Sequence, residues 1–173
     1  NQVVKDKTAA DILGNPAYQA ISYGSYRQLS RDIQPTITEL KEDLKIMHAM
    51  GIRILRTYNV HLAEAANLLQ AIKEMKTDDP SFEMYIMLGA WIDCKNAWTG
   101  QPVDHNVESE KNETEINRAV ELTNQYPEIV KVIAVGNEAM VKWAESYYVQ
   151  PKVILKWVNH LQNLKKQGKL PEN

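Results

Sequence analysis

Four short apolar runs, each followed by a segment with helical patterning, constrain most strongly what this 173-residue chain can fold into. The runs are residues 20–23, 52–58, 83–89 and 129–135. Between them, apolar residues recur at helical spacing: Ile37, Leu40, Leu44, Met47 and Met50, then Leu62, Ala65, Leu69, Ile72 and Met75, then Ile116, Ala119, Val120 and Leu122. Thr36 with Glu39 fits a capping box, and Gly51 is the expected stop of that first long helix. Pro151 opens the last helix, where its missing N–H costs nothing, and Ile154, Trp157, Val158, Leu161 and Leu164 face inward up to Gly168. A short lead-in helix is expected over 9–13.

The runs start about 32 residues apart twice and then about 46, with the excess in the polar segment 95–113, whereas an eight-unit parallel barrel averages about 31 residues per unit. The spacing therefore predicts an α/β chain of the TIM (β/α)8-barrel type. About four βα units are present, half a barrel, as a single domain over 1–173. An open doubly wound sheet uses the same right-handed units. Against it, Gly24-Ser25-Tyr26-Arg27 after the first run is not a dinucleotide-binding glycine fingerprint.

The last run, 129–135, reads as a strand buried on both faces, because a parallel strand under helices loses the apolar/polar alternation. Gly136 lets the backbone turn, and Asn137 and Glu138 then project from the strand's C-terminal end, where α/β folds collect their chemistry. The other runs end similarly: Tyr23 after the first, Arg56 and Tyr58 after the second, Trp91 and Asp93 after the third. Rings, donors and a carboxyl converging on one rim suit a sugar, whose C–H face stacks on aromatics while its hydroxyls need fixed partners. A carboxyl there can protonate a glycosidic oxygen if burial raises its pKa toward neutrality, and an amide can hold a sugar hydroxyl. Plainer readings stand beside these: Glu138 as a cap or loop carboxylate, Arg56 as a structural partner of Asp93 or Glu138, Trp91 as rim packing. Trp143, Tyr147 and Tyr148 read as loop aromatics over the strand ends, outside the site.

The formal charge of −2 gives no electrostatic case for nucleic acid or an anionic membrane surface, and no apolar run approaches a membrane span. Cys94 is the only cysteine, and His48, His61, His105 and His160 show no metal-ligand spacing, so no metal or cofactor is expected. Asn112-Glu113-Thr114 is a formal glycosylation sequon.

Ile21-Ser22-Tyr23-Gly24, Ile54-Leu55-Arg56-Thr57-Tyr58, Leu88-Gly89-Ala90-Trp91-Ile92 and Val135-Gly136-Asn137-Glu138, in this order, resemble the first half of glycoside hydrolase family 17. The Trp-Ile pair is more like the bacterial branch of that family. The family comprises β-1,3-glucanases and related glucanosyltransferases on a (β/α)8 barrel. The resemblance implies a retaining hydrolase of laminarin-type β-1,3-glucan, polysaccharide or oligosaccharide. Glu138 would be its general acid/base and Asn137 its contact beside the cleaved bond. Arg56 would support the nucleophile, while Tyr23, Tyr58 and Trp91 would line subsites, with Asp93 nearby. The family's nucleophilic Glu follows a seventh strand, so this chain is expected to be inactive alone. Its open sheet edges imply self-association or pairing with a C-terminal half. A polymeric substrate implies an extracellular, periplasmic or cell-envelope location. A glucanosyltransferase and a non-catalytic carbohydrate-binding half-barrel are the alternatives.

Overall fold

The computed structural model describes residues 6–172. In chain order its elements are α1 (Ala9–Ile12), β1 (Gln19–Ser22), α2 (Ile37–Ala49), β2 (Ile52–Arg56), α3 (Ala63–Asp78), β3 (Tyr85–Ala90), β4 (Cys94–Lys95), β5 (Asp104–Glu108), α4 (Lys111–Gln125), β6 (Val130–Val135) and α5 (Pro151–Lys166). The expected helix signals operate locally. The Thr36 hydroxyl accepts from the Glu39 N–H at 3.2 Å, and the Glu39 carboxylate accepts from the Thr36 N–H at 2.8 Å. Both orphan donors at the start of α2 are thereby satisfied, and Gly51 ends the turn at φ +88°.

Strands β1, β2, β3 and β6 form one sheet in that order, every neighbour parallel. Spatial order follows chain order, without the reversal that defines a doubly wound sheet. One face carries Leu55, Ile86, Leu88, Ala90 and Val130 into a core shared with Leu40, Leu44, Leu69, Ile72 and Ile116 of the helices. Each such side chain contributes roughly 1.5–3 kcal/mol of burial.

The opposite face is closed at the start of the strands by α1. Ile12, Ile54 and Tyr85 form a second apolar cluster there, with Tyr18 against it. Lys131 belongs to this end: its buried ammonium donates to Asp6 Oδ1 and to the Pro127 carbonyl, both at 3.1 Å, and lies 5.9 Å from the Tyr85 ring. The expectation of a last strand buried on both faces is corrected. Ile129, Val130 and Lys131 are buried, while 132–135 are half-buried. The physical reason is position: β6 is the last strand in the sheet order, so one of its edges has no neighbour among the described residues.

The polar segment 95–113 is not a plain loop. It contains an antiparallel hairpin, β4 with β5, fastened at its base. The Cys94 N–H donates to the Tyr147 carbonyl at 3.1 Å. The His105 ring stacks on Tyr148 at 3.6 Å and 7°. The Trp157 indole N–H donates to Glu108 at 2.7 Å, and Lys156 pairs with the same carboxylate. Asn112 also departs from its sequence reading. It is 1% exposed; its Oδ1 accepts from the Asp93 N–H at 3.1 Å, and its Nδ2 donates to the Asp93 carbonyl at 2.9 Å. That two-point clamp on the backbone after β3 leaves no free amide for a glycan. No helix among the described residues is long and apolar enough to cross a membrane.

Candidate active site

The strand ends are sewn together at one rim by backbone bonds. Tyr23 N–H donates to the Arg56 carbonyl at 2.9 Å, Thr57 N–H to Met87 at 3.1 Å, and Gly136 N–H to Ala90 at 2.8 Å. Gly89 is what lets β2 and β3 close up here. A Cβ on it would strike the Thr57 carbonyl and lie 2.7 Å from Tyr58 Cα. In place of that Cβ, the Thr57 hydroxyl accepts from the Gly89 N–H at 3.1 Å.

At the end of β6 the backbone takes left-handed conformations on either side of Asn137: Gly136 at φ +80° and Glu138 at φ +48°. A left-handed glutamate is a strained choice, of the kind that gathers where side chains must be aimed. Between them, Asn137 Oδ1 accepts from Arg56 Nη2 at 2.6 Å. A guanidinium has only donors, so the amide oxygen must face Arg56 and the NH2 group is turned the other way. Arg56 also lies 5.2 Å over the Tyr58 ring. The structural pairing foreseen for Arg56 with Asp93 or Glu138 is therefore corrected to Asn137.

The Tyr147 hydroxyl pKa is raised by burial and, second, by the Glu138 charge. Tyr147 lies 5.0 Å from Trp91, ring to ring. Asn137 is thus tied to Arg56, which lies over Tyr58, and Trp91 follows Ala90, whose partner across the sheet is Val135 at the end of β6. The Glu138 side chain is exposed. The burial on which proton donation is conditional is not supplied by the described residues.

Asp93 is 5% exposed, and its carboxylate accepts from the Trp91 indole N–H at 3.1 Å. Burial pushes its pKa up, opposed by the indole and hydroxyl donors around it. It holds Trp91 in place more than it offers oxygen to solvent. Tyr23 needs a larger correction. It is 8% exposed, packs with the helices, and donates its hydroxyl to Asp43 of α2 at 2.7 Å. Burial and that carboxylate raise its pKa far above the ordinary value. β1 turns this ring outward to the helix layer, away from the rim.

Two groups that sequence reasoning missed complete the arrangement. Glu115 of α4 is buried and accepts from the Val60 N–H at 2.7 Å and the Trp91 N–H at 2.9 Å, while its second oxygen bonds His61 Nδ1 at 2.9 Å. One carboxylate so ties the loop after β2 to the residue that leaves β3. In the sequence it lies on the buried stripe of α4, next to Ile116, which was the available signal. The second is the Trp98 ring, 6.5 Å from Trp91 and 5.4 Å from Tyr147. No group of three or more His, Cys, Asp and Glu that could hold a metal occurs among the described residues. Cys94 is buried in the core, with its thiol pKa raised by that burial.

No protein-family model matches this sequence, and no curated protein matches it. A solved structure does. The crystal structure of an endo-laminarinase from Formosa Hel1_33_131 is 69% identical in sequence and superimposes with a TM-score of 0.95. The match covers 96% of this chain and 42% of the laminarinase chain. The chain therefore spans less than half the length of the enzyme it is similar to.

Proposed function

We propose that this chain supplies the acid/base half of a retaining glycoside hydrolase acting on β-1,3-glucan, as the N-terminal half of a (β/α)8 barrel of the family-17 type. The observation that carries the reading is the 69% identity to an endo-laminarinase across 96% of the chain, strand ends included. It is supported by the Arg56–Asn137 bond, which fixes the amide oxygen on Arg56 and turns the amide NH2 away from it.

Glu138 protonates the glycosidic oxygen as the bond to the anomeric carbon breaks. A second carboxylate, about 5–5.5 Å away in a retaining site, attacks that carbon and forms a glycosyl-enzyme. Glu138, now ionised, takes a proton from the water that releases the sugar. The second carboxylate is assigned to the barrel units that the present four leave out, at the end of a seventh strand, while the fifth strand of the barrel would pair with β6. Asn137 holds a hydroxyl of the sugar beside the cleaved bond, and Tyr58 and Trp91 offer rings. Arg56 positions Asn137 and supports the incoming carboxylate. Asp93 positions Trp91. Tyr23 is left out of the site. A polymeric glucan lies outside cells, which supports an extracellular or envelope location.

The exposure of Glu138 favours one second reading, in which this chain alone binds glucan without cleaving it. The two are separated by incubating laminarihexaose with the chain alone and with the chain plus the complementary segment of the matched laminarinase. The expected result is release of reducing ends only in the complemented sample, lost again on Glu138→Gln. Binding that persists without turnover in the complemented sample would favour the binding module. Products longer than the starting hexaose would favour a glucanosyltransferase.

A further inference from the structure

We infer that the β4–β5 hairpin carries a separate glucose-binding subsite, with the Trp98 indole as its stacking surface and the Trp91–Tyr147 pair as its wall. This rests on the glucan reading above and adds a part of the cleft which that reading does not use. Trp98 is 63% exposed, a costly place for so large an apolar ring. It is held there by a stiff turn. Trp98 and Asn96 both adopt left-handed backbone, at φ +63° and +66°. The Thr99 hydroxyl donates to the Asn96 carbonyl at 2.7 Å, and Asn96 Nδ2 donates to the Pro102 carbonyl at 2.8 Å. The root of the hairpin is fastened to Tyr147, Tyr148 and Trp157 as described. A bulky residue kept in a strained conformation and facing water has been aimed at something.

What it is aimed at follows from its surroundings. Trp98 stacks on buried Tyr147 with ring planes 28° apart, and Trp91 closes the inner side. The neighbours Lys95, Thr99 and Gln101 are exposed and polar. A protein-docking patch needs contiguous apolar surface. An open ring stacked on a buried tyrosine, with polar residues beside it in the chain, fits a sugar, apolar on its C–H faces and polar around its rim. Trp91 follows Ala90, which pairs with Val135 and accepts from the Gly136 N–H at 2.8 Å, so the subsite adjoins the strand end that carries Glu138 and extends the cleft from there.

The test titrates the full chain, wild type, Trp98→Ala and Trp98→Phe, with laminaritriose and laminarihexaose, read by calorimetry. Trp98→Ala is expected to weaken hexaose binding about tenfold while triose binding changes less than about twofold, and Trp98→Phe to keep hexaose binding within about threefold. Unchanged thermal melting of both variants would accompany this, because the ring contributes little to the core. Hexaose binding equal in wild type and Trp98→Ala overturns the subsite and leaves the glucan reading standing. Equal losses for triose and hexaose overturn it as a separate subsite. A wild-type chain that binds neither sugar overturns the subsite as a binding element of this chain, while the glucan reading stands or falls on the complemented sample.

Discussion

The two ends of the parallel sheet are built on opposite terms. Where the strands begin, α1 seals the face with Ile12, Tyr18, Ile54 and Tyr85, and the buried ammonium of Lys131 is satisfied by Asp6 and a carbonyl. Where they finish, Arg56, Asn137, Glu138, Trp91 and Trp98 stand half-open or open, held by hydrogen bonds and by left-handed backbone. One end spends its residues on closure, and the other keeps polar groups poised at the expense of strain. This division is the usual one in βα folds, with stability at the N-terminal end and chemistry at the C-terminal end.

Substitutions can break that comparison. The largest effect is expected at Glu138: in the complemented barrel, Glu138→Gln should lower kcat/KM for laminarihexaose about 100- to 10,000-fold. Its melting temperature should stay unchanged, as expected of an exposed side chain. Ile12→Ala should do the reverse, destabilising by about 3 kcal/mol in urea denaturation, with oligosaccharide affinity preserved. If Ile12→Ala abolishes affinity while the fold persists, the two ends are not separable as described. Gly89→Ala tests the seam between them. The new methyl meets the Thr57 carbonyl, so a loss of about 1–3 kcal/mol is expected, together with weaker sugar binding because Tyr58 and Trp91 are displaced.

Glu115→Gln should have a smaller and more selective effect. An amide cannot accept all three bonds that the carboxylate accepts, so about 1–2 kcal/mol should be lost. Trp91 should loosen, visible in near-ultraviolet circular dichroism. The least effect is in pH. The bond to Glu115 raises the His61 pKa above its ordinary 6.5. A raised folded-state value means the contribution is fully present below about pH 6.5 and is lost as pH rises through the folded value. Because His61 is half-exposed, the change should be a slight fall in melting temperature between about pH 6.5 and 8. His61→Ala should flatten it.

Much of the scaffold was legible because its signals are local. The Thr36 box, the Gly51 stop and Pro151 act within one turn of chain, and each stands where the sequence put it. The parallel strands were legible as apolar runs, though pairing order was not, since half-barrel and doubly wound sheets share their units. The rim was less legible. β4 has two residues and no alternation, so the hairpin and the placement of Trp98 left no periodic trace. Tyr23 was misjudged because a strand-end residue can turn to either face, and only the Asp43 acceptor decides which. Asn112 looked like a sequon because a three-residue pattern carries no information about burial. Glu138 was expected under cover, but cover comes from neighbouring chain and not from its own strand.

The central claim is that Glu138 donates and accepts the proton in glucan cleavage. The most direct measurement uses Glu138→Ala in the complemented barrel, with an aryl β-laminaribioside whose leaving group needs no acid, in the presence of azide. The account predicts that azide restores turnover and yields a β-glycosyl azide, because the small anion attacks the glycosyl-enzyme without needing a base. Wild-type rates in Glu138→Ala on unactivated laminarin, or no β-glycosyl azide from a variant that still binds the substrate, would contradict it.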